Sequence, residues 1–150
     1  MQVGALKIDV VERPAVRVAC MRYTGEFGEP LGRFWRGSVM PWLADHGLVD
    51  CPRYGITLDS RRYDACVELP PGLSLPDAAD SLLRGGTYAV ARFKGPRTHL
   101  GAAWDALFVE CRATHVRDDS RPPFEHYPRG AHFDARTGVF ACELCLPVSK

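Results

Sequence analysis

The chain has 150 residues, of which 46% are hydrophobic, 25% charged and 10% aromatic, the make-up of a folded domain rather than a disordered segment. That length suits one domain, or two half-size units packed as one, and leaves no room for a catalytic domain beside a separate DNA-reading one. Nineteen Lys and Arg against eighteen Asp and Glu give a net charge of +1, so no overall basic field exists to hold nucleic acid or an anionic membrane.

Residues 1–7 lack the apolar stretch of a secretion signal, and no apolar run is long enough to span a bilayer, so the expected address is the cytoplasm. Apolar and polar residues alternate over 6–12, with Leu6, Ile8 and Val10 on one face, which predicts a strand stopped near Pro14. A second strand covers 16–23 and closes at Thr24-Gly25. Leu31, Phe34, Trp35, Val39, Trp42 and Leu43 recur at helical spacing over 31–46, and Pro41 is expected to bend or split that helix because it removes a backbone donor. Residues 53–59 and 63–69 read as a hairpin, and 70–86, with Pro-Pro-Gly and Gly-Gly, as a linker. A strand over 87–94, a helix over 99–111 and strands over 123–127 and 140–146 follow.

The second set of elements repeats the first. Ala19, Arg22, Tyr23 and Gly25 match Ala89, Arg92, Phe93 and Gly95 at an offset of 70, and Tyr63, Leu69 and Pro70 match Phe140, Leu146 and Pro147 at an offset of 77. Trp35 and Trp104 sit early on the two helices. The expected fold is α+β: two strand-helix-strand-strand units, about 6–70 and 86–148, related by a pseudo-two-fold axis, with an antiparallel sheet and both helices on one face. The opposite face then needs a partner, solvent or a ligand.

Cys20, Cys51, Cys66 and Cys111 are scattered singly, and Cys142 and Cys145 form one C-x-x-C within an apolar strand. Residues three apart on a strand point to opposite faces and cannot share an ion, so six free buried thiols, no metal and no cofactor are expected. Five histidines show no paired ligand spacing; His132 and Asp134 are two potential ligands in what reads as a surface loop. Neither a Gly-x-Ser-x-Gly elbow nor a phosphate-binding glycine motif occurs, since Gly85-Gly86 precedes a strand.

The strongest chemical signal is Phe124-Glu-His-Tyr127, where alternation puts Glu125 and Tyr127 on one face and Phe124 and His126 on the other. A carboxylate and a phenol side by side in a cleft between halves can hold a cation or deliver a proton. Aromatic faces around one carboxylate suit lipophilic cations. The candidate ligand-binding set is Glu125, Tyr127, Trp104, Trp35, Tyr54, Tyr23 and Phe93, with Glu125 as the catalytic group if the chain is an enzyme.

The runs Arg62-Tyr-Asp-Ala-Cys-Val-Glu-Leu-Pro70, Gly86-Thr-Tyr-Ala-Val-Ala-Arg-Phe-Lys-Gly95, Pro123-Phe-Glu-His-Tyr127 and Glu143-Leu-Cys-Leu-Pro-Val148 together resemble the GyrI-like (gyrase-inhibitor-like) family. That family is related to the effector-binding domains of AraC-type and MerR-type transcription regulators. The resemblance implies a cleft in which the acidic residue of the Phe-Glu-x-Tyr motif, here Glu125, meets cationic amphipathic or drug-like compounds. The loop 59–61 is shorter than the family's, and the end of the second helix near 111–116 lacks its Trp-Leu-Pro-x-Ser-Gly pattern, so specificity does not carry over. The expected function is a stand-alone small-molecule binder of a hydrophobic or cationic ligand, of multidrug type, with no direct nucleic acid or membrane contact. The alternatives are a DNA gyrase inhibitor-like protein that binds a protein partner, either gyrase or a separate regulator protein, and a hydrolase of strained alkylating natural products.

Overall fold

In the computed structural model, which describes residues 7–149 apart from 77, 132 and 135, strands β1 (Asp9–Arg13) and β2 (Val16–Thr24) lead into helix α1 (Glu29–Phe34). A π-helical turn (Trp35–Val39) joins it to α2 (Met40–Asp45), and β3 (Arg53–Thr57) and β4 (Arg62–Glu68) form the expected hairpin. Strands β5 (Ala79–Leu83) and β6 (Gly86–Gly95), a 3-10 turn (Arg97–His99), helix α3 (Leu100–Thr114), β7 (Phe124–Tyr127) and β8 (Phe140–Pro147) complete the chain. Pro41 does not separate the two helical segments. The Met40 N–H reaches back to the Trp35 carbonyl, and this wider π turn takes up the irregularity ahead of the proline.

The strands form one antiparallel sheet in the order β1-β6-β8-β7-β3-β4-β2-β5. Two halves, β5-β2-β4-β3 and β7-β8-β6-β1, join edge to edge where Tyr54 lies opposite His126 and Gly55 opposite Glu125. The offset of 70 in the repeat makes Gly55 and Glu125 equivalent positions, so the pseudo-two-fold axis passes between them. The stretch expected to be only a linker contains β5. Moreover, β1 precedes β2 yet pairs with β6, Val11 opposite Tyr88, while β5 precedes β6 yet pairs with β2, Val18 opposite Ser81. Each half donates one strand to the other. The two turns that start the halves also meet, for a Cβ on Gly85 would lie 2.6 Å from the Arg13 carbonyl oxygen.

Both helical segments cover one face of the sheet. Leu31, Trp35, Val39 and Leu43, with Leu107 and Cys111, pack on Ala65, Val67, Ala89, Ala91, Leu144 and Leu146. The opposite face needs no partner, contrary to the expectation from a two-layer arrangement. The sheet curls, and Val18, Tyr54, Leu83, Tyr88, Val90, Phe124 and Cys145 bury one another there, with the guanidinium carbons of Arg13 and Arg121 over the Phe124 and Tyr88 rings at 5.8 and 4.6 Å. Cys142 belongs to the helix-facing core and Cys145 to the other, as period-two alternation requires. Cys20 and Cys66, expected as separate thiols, are instead a disulfide: they stand directly opposite on β2 and β4 with Cα atoms 4.2 Å apart. Cross-strand register, which spacing along the chain does not reveal, brings them together.

Because of the exchanged strands, the halves depend on each other. A fragment ending at Leu73 leaves β1 without β6 and both edges of β2-β4-β3 bare, and it is expected to show no cooperative thermal transition by circular dichroism. On the closed face, the His126 ring stacks on Tyr54 with centroids 5.1 Å apart and its Nδ1 lies 2.7 Å from Glu143 Oε1. Burial lowers the His126 pKa below its ordinary value, although Glu143 opposes the shift. The unfolded chain therefore takes up that proton first, so this contribution to stability is complete above about pH 6.5 and declines as pH falls past it toward the folded pKa. Urea unfolding between pH 8 and 5 should show the decline, with a shallower slope in His126→Gln.

Candidate functional site

Glu125 projects from β7 toward the helices and is 2% exposed. A carboxylate so far from water needs donors, and two phenols supply them. The hydroxyls of Tyr63 and Tyr127 donate to its Oε1 at 2.9 and 2.7 Å, and the Trp35 indole N–H in turn donates to the Tyr63 oxygen at 3.0 Å. Burial, together with the neighbouring Glu125 charge, pushes both phenols well above their usual pKa, so they stay protonated donors.

Gly55, across the join from Glu125, makes this convergence possible. A Cβ there would overlap the Tyr63 hydroxyl and come within 2.7 Å of Glu125 Oε1. The duplication is thus broken where the chemistry sits: the position equivalent to Glu125 has no side chain. Likewise, Tyr63 stands opposite Tyr23 in the first half where Cys142 stands opposite Phe93 in the second, so only the first half supplies a phenol there.

Arg97, from the 3-10 turn ahead of α3, brings a cation to the same place. Its Nη1 lies 3.8 Å from Glu125 Oε1, its Nη2 donates to the Tyr127 hydroxyl at 3.0 Å, and its guanidinium carbon lies 4.8 Å from the Phe140 ring centroid. Burial disfavours its charge, but Tyr127 and Glu125 outweigh that effect and raise its pKa above the ordinary arginine value. The Nη1 atom is buried without a hydrogen-bond partner.

Two cavities flank Arg97. The larger, about 390 Å³, is lined by Phe27, Leu31, Trp104, Phe108, Glu125 and Arg97 among others. The smaller, about 70 Å³, is bounded by Trp35, Arg53, Tyr127, Phe133, Phe140 and again Arg97. Aromatic rings contribute to both linings, Glu125 and Asp105 supply carboxylates to the larger one, and one arginine borders both spaces. A short turn after β3 leaves Thr57 on the rim of the larger cavity.

Of the residues singled out from the sequence, the structure gathers Glu125, Tyr127, Trp35 and Trp104 around this cleft. It does not bring Tyr54 there. Tyr54 pairs with His126, so alternation sends it to the closed face, where its hydroxyl donates to Glu68 at 2.9 Å. Tyr23 stacks on Phe34 at 5.0 Å and donates to the Glu26 carbonyl, and it lines neither cavity. Phe93 packs 5.4 Å behind Phe140, one ring removed from the site. His132 lies outside the described residues, and the Asp134 carboxylate accepts from the backbone N–H groups of Arg136 and Thr137 in its own turn. Tyr63, Gly55 and Arg97 lie outside the candidate set. Tyr63, an aromatic residue on an alternating strand within the Arg62-Tyr-Asp run, carries a usable signal, whereas nothing in the sequence distinguishes Arg97 from the other arginines.

Gly55→Ala should force the Tyr63 hydroxyl off Glu125 and destabilise the fold by ~1–3 kcal/mol, the usual cost of overpacking. Removing that hydroxyl takes away the worst overlap and leaves Tyr63 Cζ at 2.5 Å and Glu125 Oε1 at 2.7 Å to shift, so in urea unfolding Gly55→Ala with Tyr63→Phe should lose less stability than the sum of the single variants.

In fold the chain is similar to the C-terminal domain of EcmrR, with TM-score 0.73 and 14% identity over 97% of this chain and 98% of that one. It is similar too to SAV2435 as solved bound to tetraphenylphosphonium, with TM-score 0.64 and 15% identity over 96% of this chain and 94% of that one. A hydrolase from Listeria innocua shares the fold with TM-score 0.60 and 12% identity over 98% and 94% of the two chains. No curated protein matches the chain. At these identities the likeness is one of fold, but residues 6–149 match the GyrI-like small molecule binding domain as a whole, and the chain belongs to that family.

Proposed function

We propose that this protein binds bulky lipophilic cations in the larger cavity, with Glu125 as their charge partner. The observation that carries the reading is a buried carboxylate at the floor of an aromatic space of about 390 Å³, held by two phenols that keep its oxygen aimed into the cleft. Membership of a small-molecule-binding family supports it. So does the cation held by SAV2435, a protein of the same fold. Phe27, Trp104 and Phe108 line this space, and aromatic rings attract positive charge when water is excluded.

Binding is preferred to hydrolysis because both phenol protons are already committed to Glu125 Oε1, so the carboxylate serves as a fixed acceptor. No residue of this site is called on by a gyrase-directed role.

Calorimetric titration with tetraphenylphosphonium and with the uncharged triphenylphosphine oxide tests the proposal. Glu125→Gln is expected to weaken the cation by roughly thirtyfold, ~2 kcal/mol and within the range of a charge-assisted contact, while the neutral compound changes little. Equal losses for both compounds would show that Glu125 shapes the cleft without selecting charge.

A further inference from the structure

Arg97 already has what an incoming cation would be offered. It has the Glu125 carboxylate at 3.8 Å, the Tyr127 hydroxyl at 3.0 Å and the face of Phe140 at 4.8 Å, and its side chain is only 12% exposed. It lines both cavities, so in this position it divides the cleft. Its stem crosses the surface of α1, where a Cβ on Gly32 would lie 3.4 Å from Arg97 Cδ.

Its hold on the site is also incomplete. Nη1 has no hydrogen-bond partner, although Glu125 is near, and the one polar contact of Nη2 is a neutral hydroxyl. A bidentate arginine–carboxylate pair would fix the side chain more firmly. The contacts here are those of an occupant that fills the space without saturating it.

We infer that Arg97 is a tethered internal cation that occupies the ligand's place against Glu125 and must leave when a ligand binds, so that only cations with extensive apolar surface gain entry. This deepens the functional reading above and rests on it. Its physical basis is competition. A group tethered next to its partner acts at an effective concentration on the order of millimolar, and a ligand that binds only the open form has its apparent affinity reduced by the fraction of molecules that are open. A hydrophilic cation such as guanidinium or choline brings no surplus over Arg97 and is rejected. A tetraaryl cation brings ring area to bury against Phe27, Trp104 and Phe108, and this surplus ejects the arginine. Arg97 thus sets a threshold of hydrophobicity as well as a sign of charge.

The test is a four-protein titration: wild type, Arg97→Met, Glu125→Gln and the double variant, each with tetraphenylphosphonium and with choline. Methionine keeps the stem and the packing on Gly32 but removes the charge. Expected is at least a tenfold gain in tetraphenylphosphonium affinity in Arg97→Met, detectable choline binding in that variant alone, and a larger effect of Glu125→Gln in the Arg97→Met background than in wild type. Wild-type protein gives an independent readout by NMR. The slowly exchanging Arg97 Nε–H signal, identified by its loss in Arg97→Lys or Arg97→Gln, should pass to fast exchange with water when tetraphenylphosphonium is added.

Tetraphenylphosphonium binding to wild type with no gain in Arg97→Met, or an Arg97 signal that stays protected in the complex, would overturn the inference and leave the functional reading intact. Failure of the cation to bind any of the four proteins would overturn the functional reading itself. Preferential binding of an aromatic anion, 1-anilinonaphthalene-8-sulfonate, that is lost in Arg97→Met would overturn both, since Arg97 would then be the ligand's partner.

Discussion

A carboxylate withdrawn from water at the seam of a sheet must be satisfied from within, and the arrangement of this protein follows from how Glu125 is satisfied. Two phenol hydroxyls reach the same oxygen, one from β4 in the first half and one from β7 in the second. An indole N–H secures the first phenol from the π turn between the helical segments. Each donor belongs to a different element, so the polar network ties together the sheet join and the helix lying over it. Hydrogen bonds in such a low-dielectric place strengthen one another, and leaving any member without a partner is costly. The helices are thereby held at a height over the sheet that leaves room for a cleft.

The duplicated architecture explains why the site sits where it does. Strand exchange makes both halves necessary, and the axis that relates them runs between Gly55 and Glu125. On such an axis two equivalent side chains would collide. Two glutamates there would place like charges together in a buried space, an arrangement that costs far more than an empty position. Glycine on one side and a single carboxylate on the other resolve the steric and the electrostatic problem in one substitution. The same asymmetry appears at Tyr63 and Cys142, equivalent positions of which only the first carries a hydroxyl.

Much of this fold is legible along the chain because its elements announce themselves locally. Alternation gave the faces of Glu125, Tyr127, Phe124 and His126, and helical spacing placed Trp35, Leu43, Leu107 and Cys111 toward the core. What stayed hidden depends on pairings between distant segments. The exchange of β1 and β5, the Cys20–Cys66 disulfide and the placement of Tyr54 on the closed face are all consequences of register. A strand's partner is chosen by the whole sheet and not by the strand's own pattern. The closed face is not legible for a related reason: twist and curl accumulate over eight strands and let a sheet cover part of itself.

Arg97 illustrates a further limit and gives the site its character. An arginine after Gly95-Pro96, in a chain with many others, carries no local mark of burial. It becomes distinctive only when the turn before α3 delivers it over Phe140 and beside Glu125. The family resemblance points to the carboxylate alone, and a carboxylate alone would accept any positive charge that fits. On the reading proposed above, a carboxylate set against a guanidinium of its own discriminates by what else a ligand brings: charge admits a compound to competition, and the apolar area it buries decides whether it wins.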